Sequence, residues 1–256
     1  MLKQIFTPNF KPTTAVWYAL AGAWILLALF GWTFRPTIFP STGEVLAAFP
    51  NVWQQGLGTA FASSLVPNIE ALLLAVVMAL PVSYLCRVPA VSPVSEFLSK
   101  LRVLSPPALT LLFQFMFDGH TMKVMTVAVV EAFFMISSMT TAMRTISPVD
   151  FDDAAILRMT PWQSVWYVNI RGTVREVMNI IADVGLMGWS MLIMVEGFVR
   201  SEGGIGVLLA NMDKHMNLSE VYCITAVVIG YGMVQDYVFR AMIDYFCDYS
   251  ETANAV

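Results

Sequence analysis

Charge is the scarcest thing in this sequence. Only 12% of its 256 residues are Asp, Glu, Lys or Arg, against about 25% in an average soluble domain. One water-soluble core could not hide the 57% that are hydrophobic, so an ordinary soluble domain is excluded and a polytopic membrane protein expected. Cysteine is nearly absent as well. Cys86, Cys223 and Cys247 are scattered, odd in number and without metal-ligand spacing, and read as small apolar residues in or near helices. The two histidines, His120 and His215, lie far apart and belong to no zinc-type motif, which argues against a metalloenzyme. No basic tract interrupts a net charge of −4, so nucleic acid is not an expected partner.

What the sequence does contain is a series of long apolar runs separated by short polar segments. Met1–Thr14 is a polar leader with Lys3 and Lys11. The run after it, from Ala15 to about Phe34, is long enough to cross a bilayer and lacks a small-residue cleavage site, so it reads as a retained first span. Arg35–Gly58 is rich in proline and glycine and reads as an external loop with a short helix near Thr42–Phe49, capped by Ser41 or Thr42. Further spans are expected at about Thr59–Cys86, from Leu101 through Phe117, at Met122–Met143, Val177–Val199 and Leu218–Met242. The second contains Pro67 and Pro81, and the third contains the pair Pro106-Pro107. Gly203-Gly204-Ile205-Gly206 predicts a turn leading into a short helix. The tail, Ile243–Val256, is acidic.

The expected fold is therefore all-α: six membrane helices over residues 15–242, a polar loop at 144–176, and both termini on one side. Basic residues test this layout. Lys3, Lys11, Arg87, Lys100, Arg102, Arg144, Arg158, Arg171, Arg175 and Arg240 fall on the side assigned to the cytoplasm. Only Arg35, Lys123, Arg200 and Lys214 fall outside or at the outer edge.

Asp152–Gly172, reading DDAAILRMTPWQSVWYVNIRG, is the polar stretch around which the chain is organised. Asp152 and Asp153 suit the start of a short helix, and Thr160-Pro161 suits the start of a second. The segment resembles the EAA loop of permease subunits of bacterial ABC importers, whose form is E-A-A-x-x-x-G followed by W-Q-x-F-x-x-V-x-x-P. Alignment through Thr160-Pro161-Trp162-Gln163 puts Asp152 on the motif glutamate, Asp153-Ala154 on the alanine pair, Arg158 on the glycine and Arg171 on the late proline. A shift of one residue aligns Asp153-Ala154-Ala155 and puts Met159 on the glycine. Both Arg158 and Met159 carry a Cβ that strains at a left-handed position, so the helix pair or the ATPase groove is expected to differ from the family's.

Three further pieces are similar to the nitrate, taurine and sulfonate group of these permeases. They are Phe39-Pro40-Ser41-Thr42 with Val45, Leu101-Arg102 with Ser105-Pro106-Pro107-Ala108, and Glu196 followed by the 203–206 glycine turn. The resemblance implies a permease subunit of the bacterial inner membrane, without a catalytic site or bound cofactor of its own. It would form half of a pathway with a second permease, identical or different. Cytoplasmic ATPase subunits, holding ATP and Mg, would drive it through the loop, and a periplasmic binding protein would deliver substrate. Asp152, Asp153, Ala154, Ala155, Arg158, Thr160, Trp162 and Gln163 would dock the ATPase.

Polar groups at membrane depth are the candidates for the pathway: Glu70, Gln114, Glu131, Asp183 and Glu196. Asp183, Met187, Ser190 and Met194 follow i, i+4, i+7, i+11 spacing and share one helical face, expected to line the pathway. Asp183 could instead meet water or Arg175, and Glu196 could instead cap the external helix. The 17 methionines read as adaptable packing rather than as a metal route. An ion-coupled secondary transporter of a small polar solute is the rival function, but the chain lacks the internal repeat such folds usually carry. A membrane-embedded enzyme would need a cluster of His, Cys or Asp that is not evident.

Overall fold

The computed structural model describes residues 14–33 and 39–247. Lys3 and Lys11 of the leader, Arg35, and the acidic residues Asp248 and Glu251 lie outside them. Within the described residues every regular element is helical. Helix α1 is Thr14–Thr33 and α2 is Thr42–Gln54. Ser41 starts α2 with a capping box: its hydroxyl accepts from the Glu44 amide, and the Glu44 carboxylate accepts from the Ser41 amide at 2.9 Å. Helix α3, Leu57–Tyr84, continues through Pro67 and Pro81. Then come α4 (Ser92–Lys100), a 3-10 turn (Leu101–Val103), α5 (Pro106–Phe113) and α6 (Gly119–Thr145). The polar segment forms α7 (Pro148–Ile156), α8 (Pro161–Ser164) and a π-helical stretch (Val165–Arg171). The chain closes with α9 (Val174–Phe198), α10 (Ile205–Lys214) and α11 (Leu218–Phe246).

Among the described residues five helices, α1, α3, α6, α9 and α11, are long and apolar enough to cross a membrane. The pass expected from Leu101 to Phe117 is not a continuous helix. Leu104 and Ser105 are extended, with ψ of 123° and 141°; Ser105 is pushed out of the helical region because it precedes Pro106. Pro106 and Pro107 then open a new helix, where missing amides cost nothing. That helix, α5, is only about 12 Å long at about 1.5 Å per residue.

Even so, the chain does return to the opposite end between α3 and α6. These two helices pack extensively and run parallel. Ser64 and Lys123 both reach the Glu196 carboxylate at one end, and the Arg87 guanidinium reaches the Met143 carbonyl at 2.7 Å at the other. The connection runs antiparallel along α6: Glu96 meets Arg144, Arg102 meets Ser137, and Leu109 packs against the buried cluster that includes Val127 and Val130. The return from α3 to α6 is thus built from two short helices with a break between them.

The α3–α6 seam pairs small residues with flexible large ones. Ala71, Ala75 and Ala79 are fully buried, as are Met135, Met139 and Met143. Small residues on one helix let the backbones approach, and methionines fill the remaining space. Helix α9 crosses this pair antiparallel, and α11 packs antiparallel on α9. Helices α2 and α10 gather at one end, where Val52, Ile205 and Ile224 form a buried cluster. The elbow made by α7, α8 and the π stretch lies at the other end.

Candidate functional site

The elbow is built by local rules. The Ser147 hydroxyl accepts from the Val149 amide, Pro148 takes the first helical position, and Asp150 sits in the first turn of α7. Asp152 and Asp153 are therefore one turn further into the helix than expected, because Ser147-Pro148 is the earlier start signal. Both are exposed, as is Ala155, while Ala154 is turned inward with 4% exposure.

Helix α7 ends in a Schellman arrangement. The Met159 amide donates to the Ala154 carbonyl at 3.1 Å, and the Arg158 amide to the Ala155 carbonyl at 2.9 Å. Arg158 occupies the residue between, with φ of +53°. Glycine is the usual occupant of that position, since a Cβ there strains the backbone. Thr160 then caps α8 as the Thr160-Pro161 pair predicts. Its amide donates to Gln163 Oε1 at 2.8 Å, and Gln163 donates its own amide to the Thr160 hydroxyl.

The π stretch was not foreseen. Its wider turns carry the chain to Gly172, where a Cβ would collide with the Val168 carbonyl. Asn169 is completely buried, and both atoms of its side-chain amide lack a partner among the described residues. Arg87 braces the elbow, donating to the Met143 carbonyl while stacking over the Phe151 ring at 4.3 Å. Outward, the elbow presents Ile156, Leu157, Trp162, Trp166 and Tyr167, all exposed, beside the charges of Asp152, Asp153 and Arg158.

The polar candidates for the pathway separate into five places. Asp183, Met187, Ser190 and Met194 do share one face of α9, and all four are exposed on this chain. The opposite face, with Val184, Gly188, Leu192 and Val195, is buried against α3 and α6. Beside Asp183, α11 contributes Arg240 at 3.9 Å, which is itself held by Asp236 at 2.8 Å. Asp236 was missed in the sequence; its i, i+4 spacing to Arg240 on an apolar helix was the available signal. Arg175 pairs instead with Asp244.

Glu131 lies on the buried side of α9. It has no exposure, and neither carboxyl oxygen has a partner among the described residues. The Asn68 side-chain oxygen is likewise unpartnered, and the two groups converge on the bare Cα of Gly188. Glu70 sits on the exposed side of α3 and contacts His120 Nε2 at 2.7 Å. Gln114 is exposed just after α5.

Glu196 is placed differently from the rest. It is fully buried at the start of α10, accepting from Ser64 Oγ at 2.9 Å and from the Gly206 amide at 2.9 Å. Lys123, 2% exposed, lies 3.5 Å from the same carboxylate and donates to the Gly203 carbonyl at 2.7 Å. Ser64 also accepts from the Ile205 amide. Four elements thus close on one ion pair, and Gly204 has φ of +120° in the turn that wraps it. Lys123 had been read only as an outer-edge charge; its pairing depends on tertiary contacts between distant residues.

No protein-family profile and no curated protein matches this chain. Among solved structures, the crystal structure of an amino acid ABC transporter with histidines is similar, with a TM-score of 0.59 and 13% sequence identity. The match covers 78% of this chain and 95% of the other. The chain shares the fold of that transporter chain over the matched region.

Proposed function

We propose that this chain is the permease subunit of an ATP-driven ABC importer, with the elbow as its contact to a cytoplasmic ATPase. The left-handed Arg158 carries the reading. It supports the register in which Asp152, Asp153-Ala154 and Arg158 stand on the Glu, Ala-Ala and Gly of the EAA loop. The Schellman end of α7 and the capping box of α8 make the elbow a rigid lever between α6 and α9. Its exposed tryptophans, with Asp152, Asp153 and Arg158, offer a partner both apolar surface and charge.

The uncovered face of α9 fits the same reading. A carboxylate at the centre of a lipid-facing helix is penalised by about 2.5–3.5 kcal/mol on insertion scales. Asp183, with Arg240 and Asp236 beside it, is better served by a water-filled path shared with a second permease subunit. The α2–α10 end then faces the periplasm and receives a binding protein, and both termini lie in the cytoplasm of an inner-membrane protein.

The test is co-purification with an ATPase from the native membrane. Wild-type chain is expected to bring down stoichiometric ATPase, and deletion of residues 152–163 to abolish it while the chain stays in the membrane. Retention of the ATPase after the deletion, or no ATPase with the wild type, would overturn the reading.

A further inference from the structure

A second polar site lies at the elbow end, between α4 and α6, away from both the elbow and the α9 face. It is a cleft of about 560 Å³. Lys100, Arg102 and Arg144 line it, against the single carboxylate of Glu96. Arg144 donates to Glu96 at 2.7 Å and Arg102 to the Ser137 hydroxyl at 3.1 Å. No hydrogen bond or ion pair engages Lys100 among the described residues, so the cleft keeps an excess of positive charge. Thr140 also lines it, is 5% exposed, and its hydroxyl has no partner among the described residues.

The depth of these groups is graded. Arg144 lies in the last turn of α6. Thr140 and Ser137 are one and two turns further in, about 6 and 10 Å at the helical rise. Cations therefore stand at the membrane surface, with hydroxyls beneath them. The rim is apolar: Val103 is 86% exposed and Phe97 62% exposed, on the turns that carry the cations. Basic pockets between membrane helices suit phosphate-bearing headgroups.

We propose that this cleft binds the phosphate of an anionic phospholipid, with the acyl chains covering Phe97 and Val103. The three cations meet the phosphate, and the hydroxyls of Ser137 and Thr140 meet its oxygens or the glycerol esters below. A zwitterionic choline headgroup would bring its own cation against Lys100 and Arg102. Free phosphate would leave the apolar rim bare. The proposal rests only on the long helices crossing a bilayer, not on the ATPase contact.

The full-length chain, purified in neutral detergent, is titrated with dioleoyl phosphatidylglycerol, dioleoyl phosphatidylcholine or inorganic phosphate. Bound lipid is counted by native mass spectrometry and thermal stability is followed in parallel. Phosphatidylglycerol is expected to be retained and to raise Tm, while the other two do neither. The double variant K100Q/R102Q should weaken retention roughly 25-fold, at about fivefold per surface cation. The charge-retaining K100R/R102K should restore it, which separates binding from a folding defect. Equal retention of phosphatidylcholine, unchanged affinity in K100Q/R102Q, or equal stabilisation by inorganic phosphate would each overturn the proposal. Release of wild-type chain from membranes by alkaline carbonate would instead overturn the membrane reading beneath it.

Discussion

Replacing Arg158 by glycine should stabilise the chain, although the change removes a large side chain and a charge. At φ of +53° an L-residue is strained by roughly 1–2 kcal/mol relative to glycine. Glycine gives back about 0.5–1 kcal/mol through its freer unfolded chain. The net expectation is a gain of roughly 0.5–1 kcal/mol over Arg158→Ala, which removes the same charge and keeps the strain. For a chain of this size that is a rise in Tm of about 1–4 °C. Arg158→Asn should fall between, since asparagine tolerates the left-handed region better than alanine. The molecule supplies its own reporter. Cys86, Cys223 and Cys247 are buried, and burial pushes the Cys86 thiol up, so a maleimide dye reacts fully only on unfolding. A Tm for Arg158→Gly at or below that of Arg158→Ala would refute the reasoning, because relief of backbone strain is the one term that favours glycine and has to exceed its entropic cost.

Gly188→Ala should destabilise by about 1–3 kcal/mol through overpacking, since the new Cβ collides with Glu131 and crowds Asn68; adding Glu131→Ala should recover part of the loss in the same dye assay. Glu196→Ala should cost about 3–5 kcal/mol, as expected when one partner of a buried pair is removed, and Lys123→Met in that background should restore stability; a smaller loss for the single variant than for the double would sink the account. The Glu96 carboxyl is held below its usual range by the hydrogen bond from Arg144. Its folded form is thus the more acidic one, so the pair supports the fold above the ordinary carboxylate pKa and is lost as pH falls through the lowered value. The acid limb of the stability curve should accordingly be shallower in Glu96→Gln.

Much of this architecture is written in local signals. Ser41 or Thr42, and Thr160-Pro161, mark helix starts; the structure selects Ser41 and completes both starts as capping boxes with Glu44 and Gln163. Spacing alone placed Asp183, Met187, Ser190 and Met194 on one face, because helical periodicity needs no tertiary knowledge. The broken return between α3 and α6 was half legible. Pro106-Pro107 announced a disturbance, yet the hydropathy of the residues around it suggested a continuous span. The start of α7 was misplaced because two acidic residues outweighed Ser147-Pro148 in the reading. The π stretch and the bare Cα of Gly188 left no trace, since both depend on what packs opposite. So does the pairing of Lys123 with Glu196, residues 73 apart in sequence, for no local pattern links them.

That separation imposes an order on biogenesis. Lys123 leaves the ribosome 73 residues before its carboxylate, and its other acceptor, the Gly203 carbonyl, comes 80 residues behind it. A nascent chain ending anywhere in that interval holds a lysine that has to stretch toward the headgroups to stay hydrated. The first half of the protein therefore cannot reach its final packing until the segment from Glu196 to Gly203 has been made. Truncated nascent chains should leave Lys123 open to amine-reactive reagents until residue 206 has emerged, and closed to them afterwards.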